Sequence, residues 1–145
     1  MSDGNSLIRW LPWRIATTLA GAALVSLLAT AFFLEPSRQG YGTHQQLGLP
    51  PCSFQKMFGV RCPSCGMTTS WSHLARGRLF SALGANTGGV LLALLTSAAG
   101  PWLLISGIRG KWWPGTPSEV LVMALMFSVV GITLTDWGIR LLLES

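Results

Sequence analysis

Charge is what this sequence has least of: only 10% of its 145 residues are Asp, Glu, Lys or Arg, against about 25% in ordinary soluble domains. The ten basic residues are scattered singly, so the clustered basic face of a nucleic-acid binder is missing. Catalytic signatures are missing too. There is no pair of carboxylates in a polar segment, no glycine loop of the phosphate-cradling type and no H-E-x-x-H. That argues against an enzyme acting on its own. Internal repeats and low-complexity tails are absent, and the length suits a single domain, 1–145.

What is present is apolar. Half the residues are hydrophobic and the mean hydropathy is +0.48, which points to the bilayer as solvent. The net charge of +5 then reads as interfacial anchors and topology signals. Three uncharged or nearly uncharged runs are long enough to cross a ~30 Å hydrocarbon core as helices, near 15–34, 87–108 and 119–143. The expected class is therefore an all-α integral membrane protein. Between its first two spans lies a helical, cysteine-containing loop at about 52–84, interfacial or re-entrant.

Along the chain, Arg9, Trp10, Trp13 and Arg14 suit the headgroup boundary before the first span. Ala29-Thr30-Ala31 has the form of a signal-peptide cleavage site. The run before it is long for such a peptide and two further spans follow, so a retained first helix is expected. Glu35-Pro36 ends it, because the residue before proline is pushed out of the helical region. Phe54, Met57 and Phe58 form the apolar side of one helical turn that Gly59 can close. Thr68 or Thr69 can cap a helix running towards Gly84. On it Trp71, Leu74, Ala75, Leu79, Ala82 and Leu83 share a face, with Ser72, His73 and Arg76 turned away. Asn86-Thr87 opens the second span, where Gly100-Pro101 predicts a kink, and Lys111, Trp112 and Trp113 form a belt after it. In the third span Asp136 and Arg140 are four apart, which reads as an ion pair near a helix end. The Arg9/Arg14 flank is more basic than Glu35/Arg38, so the N-terminus is expected in the cytoplasm of a multi-pass cell-membrane protein.

The one stretch with chemistry is Cys62-Pro63-Ser64-Cys65-Gly66-Met67-Thr68, with Cys52 upstream and His73 downstream. Pro63 favours a turn after Cys62, and Gly66 can take positive φ and bring backbone amides towards the sulfurs. Three readings follow. Cys52, Cys62 and Cys65, completed by His73 or His44, can make a closed Cys3His site for zinc or another thiophilic metal. Cys62 and Cys65 can act as a redox pair, with Cys65 activated by the helix that follows and Cys52 resolving. Or the cysteines serve as a staple or merely pack. His73 is the favoured fourth ligand, and His44 reads mainly as a solvated loop residue.

The segment Cys52-Ser53-Phe54, then Gly59-Val60-Arg61-Cys62-Pro63-Ser64-Cys65-Gly66-Met67-Thr68, and finally His73-Leu74-Ala75-Arg76-Gly77, resembles the family catalogued as domain of unknown function 2752. The resemblance covers roughly residues 44 to 140. It implies a small bacterial multi-pass membrane protein and assigns no activity. Two positions depart from that pattern: Thr69 stands where an arginine is usual, and Asn86-Thr87 where Asn-Pro is common. The expected role is an accessory subunit of a membrane assembly, with a structural or metal-binding cysteine loop. Its partners would be the bilayer and another membrane protein or a second copy of itself, reached through small residues such as Gly21, Gly100 and Gly131. A membrane thiol–disulfide protein is the alternative.

Overall fold

The computed structural model describes residues 4–144, with side chains from Leu11 to Leu143; the side chains of Arg9 and Trp10 lie outside the described residues. Six α-helices follow one another: α1 (Gly4–Phe33), α2 (Ser53–Phe58), α3 (Met67–Ala75), α4 (Leu79–Ala85), α5 (Thr87–Arg109) and α6 (Glu119–Glu144). A single 3-10 turn covers Thr43–Leu47, and the described residues contain no strand. Leu11–Phe33, Thr87–Arg109 and Glu119–Leu143 are each long and apolar enough to cross a membrane. The all-helical class and the cysteine-bearing segment between spans are as the sequence predicts.

Helices α1 and α5 pack antiparallel over most of their length, and small residues set the distance. A Cβ at Gly21 would overlap the Leu104 backbone, and one at Gly107 would overlap Thr18. A Cβ at Gly100 would come within 3.3 Å of Val25 Cγ2. In lipid no hydrophobic force drives helices together, so such close backbone approach is the usual source of attraction. Arg14 fastens one end of the pair by donating to Gly107 O at 3.4 Å and Ile108 O at 3.0 Å, the last carbonyls of α5. At that end Trp13, Trp112 and Trp102 stack with centroids 5.6 and 5.1 Å apart, and Arg109 lies over Trp113 at 5.0 Å. This is the aromatic and cationic belt expected of the 109–117 turn. Helix α5 runs unbroken through Gly100-Pro101.

Helix α6 touches the rest mainly through its C-terminal half. Gly88 leaves just enough room for Thr133. The Asp136–Arg140 ion pair closes at 2.9 Å and bridges two helix ends. Asp136 accepts from Thr87 Oγ1 at 3.0 Å at the start of α5. Arg140 donates to Leu83, Gly84 and Ala85 carbonyls at the end of α4. Acid at a helix start and base at a helix end is the arrangement the helix dipole favours.

The loop corrects one expectation. Instead of one helix from Thr68 towards Gly84, the chain forms α3, a break at Gly77 with φ +70°, and α4. Ser72, expected to face away, is fully buried together with Thr69 and Ser70, whereas of the expected apolar face Ala82 is buried but Ala75 and Leu79 are exposed. Orphan carbonyls are the physical reason. Ser72 Oγ donates to Leu34 O, just past the end of α1, and Arg76 Nη1 donates to the same oxygen at 2.7 Å. A helix end packed under a loop must have its carbonyls satisfied, and that requirement outweighs the apolar stripe. Thr69 Oγ1 pairs with Thr43 Oγ1 at 2.8 Å, so the position where an arginine is usual holds a small buried hydroxyl here.

Candidate functional site

The cysteine turn is built by backbone geometry before any side chain acts. Cys65 N donates to Cys62 O at 3.0 Å and Met67 N to Ser64 O at 3.1 Å. Gly66 follows at φ +87° as the residue that enters α3. It is a glycine for two reasons. The left-handed conformation disfavours a side chain, and a Cβ would overlap Ala85 O and lie 2.7 Å from Gly40 O. The knuckle is thus wedged between the Gly40 turn and the end of α4. Upstream, Cys52 immediately precedes α2, which Gly59 closes at φ +71°. That short helix turns the chain back so that Cys52 meets the knuckle.

Asn86 locks this arrangement, a role that reading it only as a helix cap misses. Its side-chain oxygen accepts from Gly89 N at 2.7 Å, capping α5. Its amide nitrogen donates to Pro63 O at 3.0 Å and Cys65 O at 3.1 Å. The residue is 3% exposed. One side chain therefore ties the start of the second span to the cysteine turn. The sequence signal was the capping pair Asn86-Thr87 at the start of the second span; the two carbonyl contacts, more than 20 residues away in the chain, had none. Trp137 Nε1 adds a second tie by donating to Arg61 O at 2.6 Å.

The sulfurs of Cys52, Cys62 and Cys65 lie within 4.8 Å of one another. Cys62 Sγ is 3.5 Å from Cys52 Sγ and 3.1 Å from Cys65 Sγ. All three are free thiols, half-buried. A disulfide needs about 2.05 Å, whereas a tetrahedral metal with sulfur at ~2.3 Å spaces its sulfurs ~3.8 Å apart. The donor set fits a soft cation. His73 is not in this group of ligand atoms. It sits on α3 near Arg76 and Arg78, with a buried Nδ1 that has no hydrogen-bond partner. His44 lines the same cavity as the three cysteines, and its Nε2 lies 3.3 Å from Pro50 O.

The two knuckle thiols differ electrostatically, and in the opposite sense to the helix-dipole expectation. Burial and hydrogen bonding to Cys62 push the Cys65 thiol up to about 12. Burial also acts to raise Cys62, but hydrogen bonds with Ser64 Oγ, Cys65, Cys52 and the Ser64 amide outweigh it, leaving this thiol below its ordinary value. Cys62 is the more acidic of the pair. His73 is held below the ordinary histidine range by burial and then by the charges of Arg78 and Arg76.

No curated protein and no solved structure matches the chain. The segment from Cys52 through the knuckle, α3 and α4 into α5, residues 52–99, matches the family described as protein of unknown function (DUF2752).

Proposed function

We propose that Cys52, Cys62 and Cys65 together hold a thiophilic cation of the zinc class, which staples the loop 38–86 onto the ends of the spans. The observation that carries this reading is the convergence of three thiols within 4.8 Å from two separate turns. Each turn is fixed by its own glycine, and the knuckle by Asn86. A loop of this length buries little apolar surface, and a metal replaces the missing core. The protein then serves as an accessory component of a membrane assembly. The largely exposed apolar N-terminal half of α6 supports that role. The N-terminus is cytoplasmic on this reading, and the knuckle faces the opposite side of the membrane.

A second reading has its own observation: Cys62 and Cys65 lie 3.1 Å apart with thiol acidities driven in opposite directions, as suits a nucleophilic thiol beside its exchange partner. Metal analysis and thiol counting on protein purified without oxygen separate the two. The metal reading expects about one zinc per chain, lost in each of Cys52→Ser, Cys62→Ser and Cys65→Ser. Metal-free protein with a Cys62–Cys65 disulfide would reject it in favour of redox chemistry.

A further inference from the structure

Beneath the cysteine turn lies a cavity of about 510 Å³, within the ~300–1,000 Å³ usual for small-molecule sites. One wall is formed by Leu27 and Ala31 of α1 and Leu34 just past its end, on a side of that helix other than the one pressed on α5. Leu27 stands seven residues before Leu34 in the sequence, so this wall reaches ~10 Å down the helix at 1.5 Å per residue, into the apolar span Leu11–Phe33. The mouth is apolar on both sides, with Leu27 54%, Leu47 52% and Leu49 52% exposed. The three cysteines, Ser64 and Thr68 belong to the same lining.

Two features restrict what fits. The lining contains no Asp, Glu, Lys or Arg, so a charged head would be desolvated without a counter-charge at a cost of several kcal/mol. Trp71 forms part of the wall, with its indole N–H buried out of contact with the open cavity. Gln45 and Gln55 supply neutral hydrogen-bonding groups.

We infer that this cavity binds a membrane-borne amphiphile with one apolar chain and an uncharged, oxygen-bearing head. The chain lies along Leu27, Ala31 and Leu34, and the head sits under the cysteine turn, where its oxygen accepts hydrogen bonds. Isoprenoid alcohols and quinones share this chemistry; lipid phosphates do not. The inference is independent of metal, since the cavity is bounded by the protein alone.

The test is photolabelling of the full chain in phosphatidylcholine nanodiscs with a diazirine-bearing farnesol, followed by mapping of labelled peptides. Saturable labelling within 27–49 is expected, displaced at least tenfold better by farnesol or by a decyl-tailed benzoquinone than by farnesyl phosphate. Preference between the first two competitors identifies the head as alcohol or quinone. Ala31→Trp should fill the cavity and abolish the labelling. Leu47→Trp, at the exposed rim, should do the same without touching buried packing. Equal displacement by farnesyl phosphate would overturn the inference, as would non-saturable labelling spread equally over 119–128. So would unchanged labelling of the folded Leu47→Trp protein. Leu47→Trp leaves the three cysteines of the sulfur group in place, so zinc content measured on that same protein reports the metal reading separately.

Discussion

Replacing Asn86 offers the sharpest test of how the cysteine turn is held. In Asn86→Ala the cap on Gly89 N is lost, worth ~1 kcal/mol. The Pro63 and Cys65 carbonyls lose their donor at a site that is 3% exposed, at ~1 kcal/mol or more each. The sum is about 3 kcal/mol, a roughly 100-fold rise in the population of the opened loop. Hydrogen exchange of residues 59–90 in nanodiscs reads this directly, and zinc affinity should fall with it because the knuckle backbone is no longer set. Asn86→Asp separates the two functions: it keeps the acceptor for Gly89 N but faces two carbonyls with carboxylate oxygen. The structure predicts that Asp rescues exchange protection at the start of α5 and leaves 61–67 as open as Ala does. Parental protection at 61–67 in both variants would refute the reasoning, since no other side chain is seen to satisfy those two carbonyls.

Four further outcomes follow from the geometry. Cys62→Ser or Cys65→Ser should destabilise the loop 38–86 by ~2–5 kcal/mol, the size of a lost staple, with membrane insertion unchanged; limited proteolysis in membranes reads the loop, and parental resistance would point to a purely chemical role. Gly66→Ala must hold a left-handed residue and displace the Ala85 carbonyl, costing ~2–5 kcal/mol, measured as earlier thermal loss of loop protection. His73 titrates below its ordinary 6.5 in the folded loop, so as pH falls through 6.5 the unfolded loop takes up the proton first. Its contribution is intact above that pH and is lost on acidification; proteolysis at pH 7.5 and 5 should show faster cleavage at the lower pH, with the difference reduced in His73→Gln. Arg140→Gln leaves Asp136 without its cation and takes the Arg140 donor from the Gly84 and Ala85 carbonyls, while Leu83 O keeps Thr87 Oγ1, at ~3–5 kcal/mol where such a pair is buried and less here because it is partly exposed; crosslinking between α4 and α6 should weaken, and unchanged crosslinking would remove this bridge from the account.

Span count and class were legible in the sequence because they depend on local composition. A run of about 20 apolar residues has one stable form in lipid, whatever surrounds it. The cap at Asn86, the stop at Gly59 and the positive φ of Gly66 were legible for a similar reason, since backbone geometry acts within a few residues; the cap expected at Thr68 or Thr69 was not, because α3 begins at Met67 with Gly66 as its N-cap. The convergence of Cys52 with the knuckle was an expectation from spacing, realised through the fold-back of α2. What the sequence left open is what crosses long separations. Periodicity turned Ser72 and Arg76 outward, but the end of α1 needed donors at Leu34 O and drew them in. The helix dipole favoured Cys65 as the acidic thiol, but burial raises Cys65 while hydrogen bonds with Ser64, Cys65 and Cys52 lower Cys62. His73 was the favoured fourth ligand but is not among the grouped ligand atoms, while the 3-10 turn brings His44 to the cysteines' cavity. Hydrogen-bond satisfaction and burial are properties of the assembled molecule, and they, more than local pattern, determined which residues share the site.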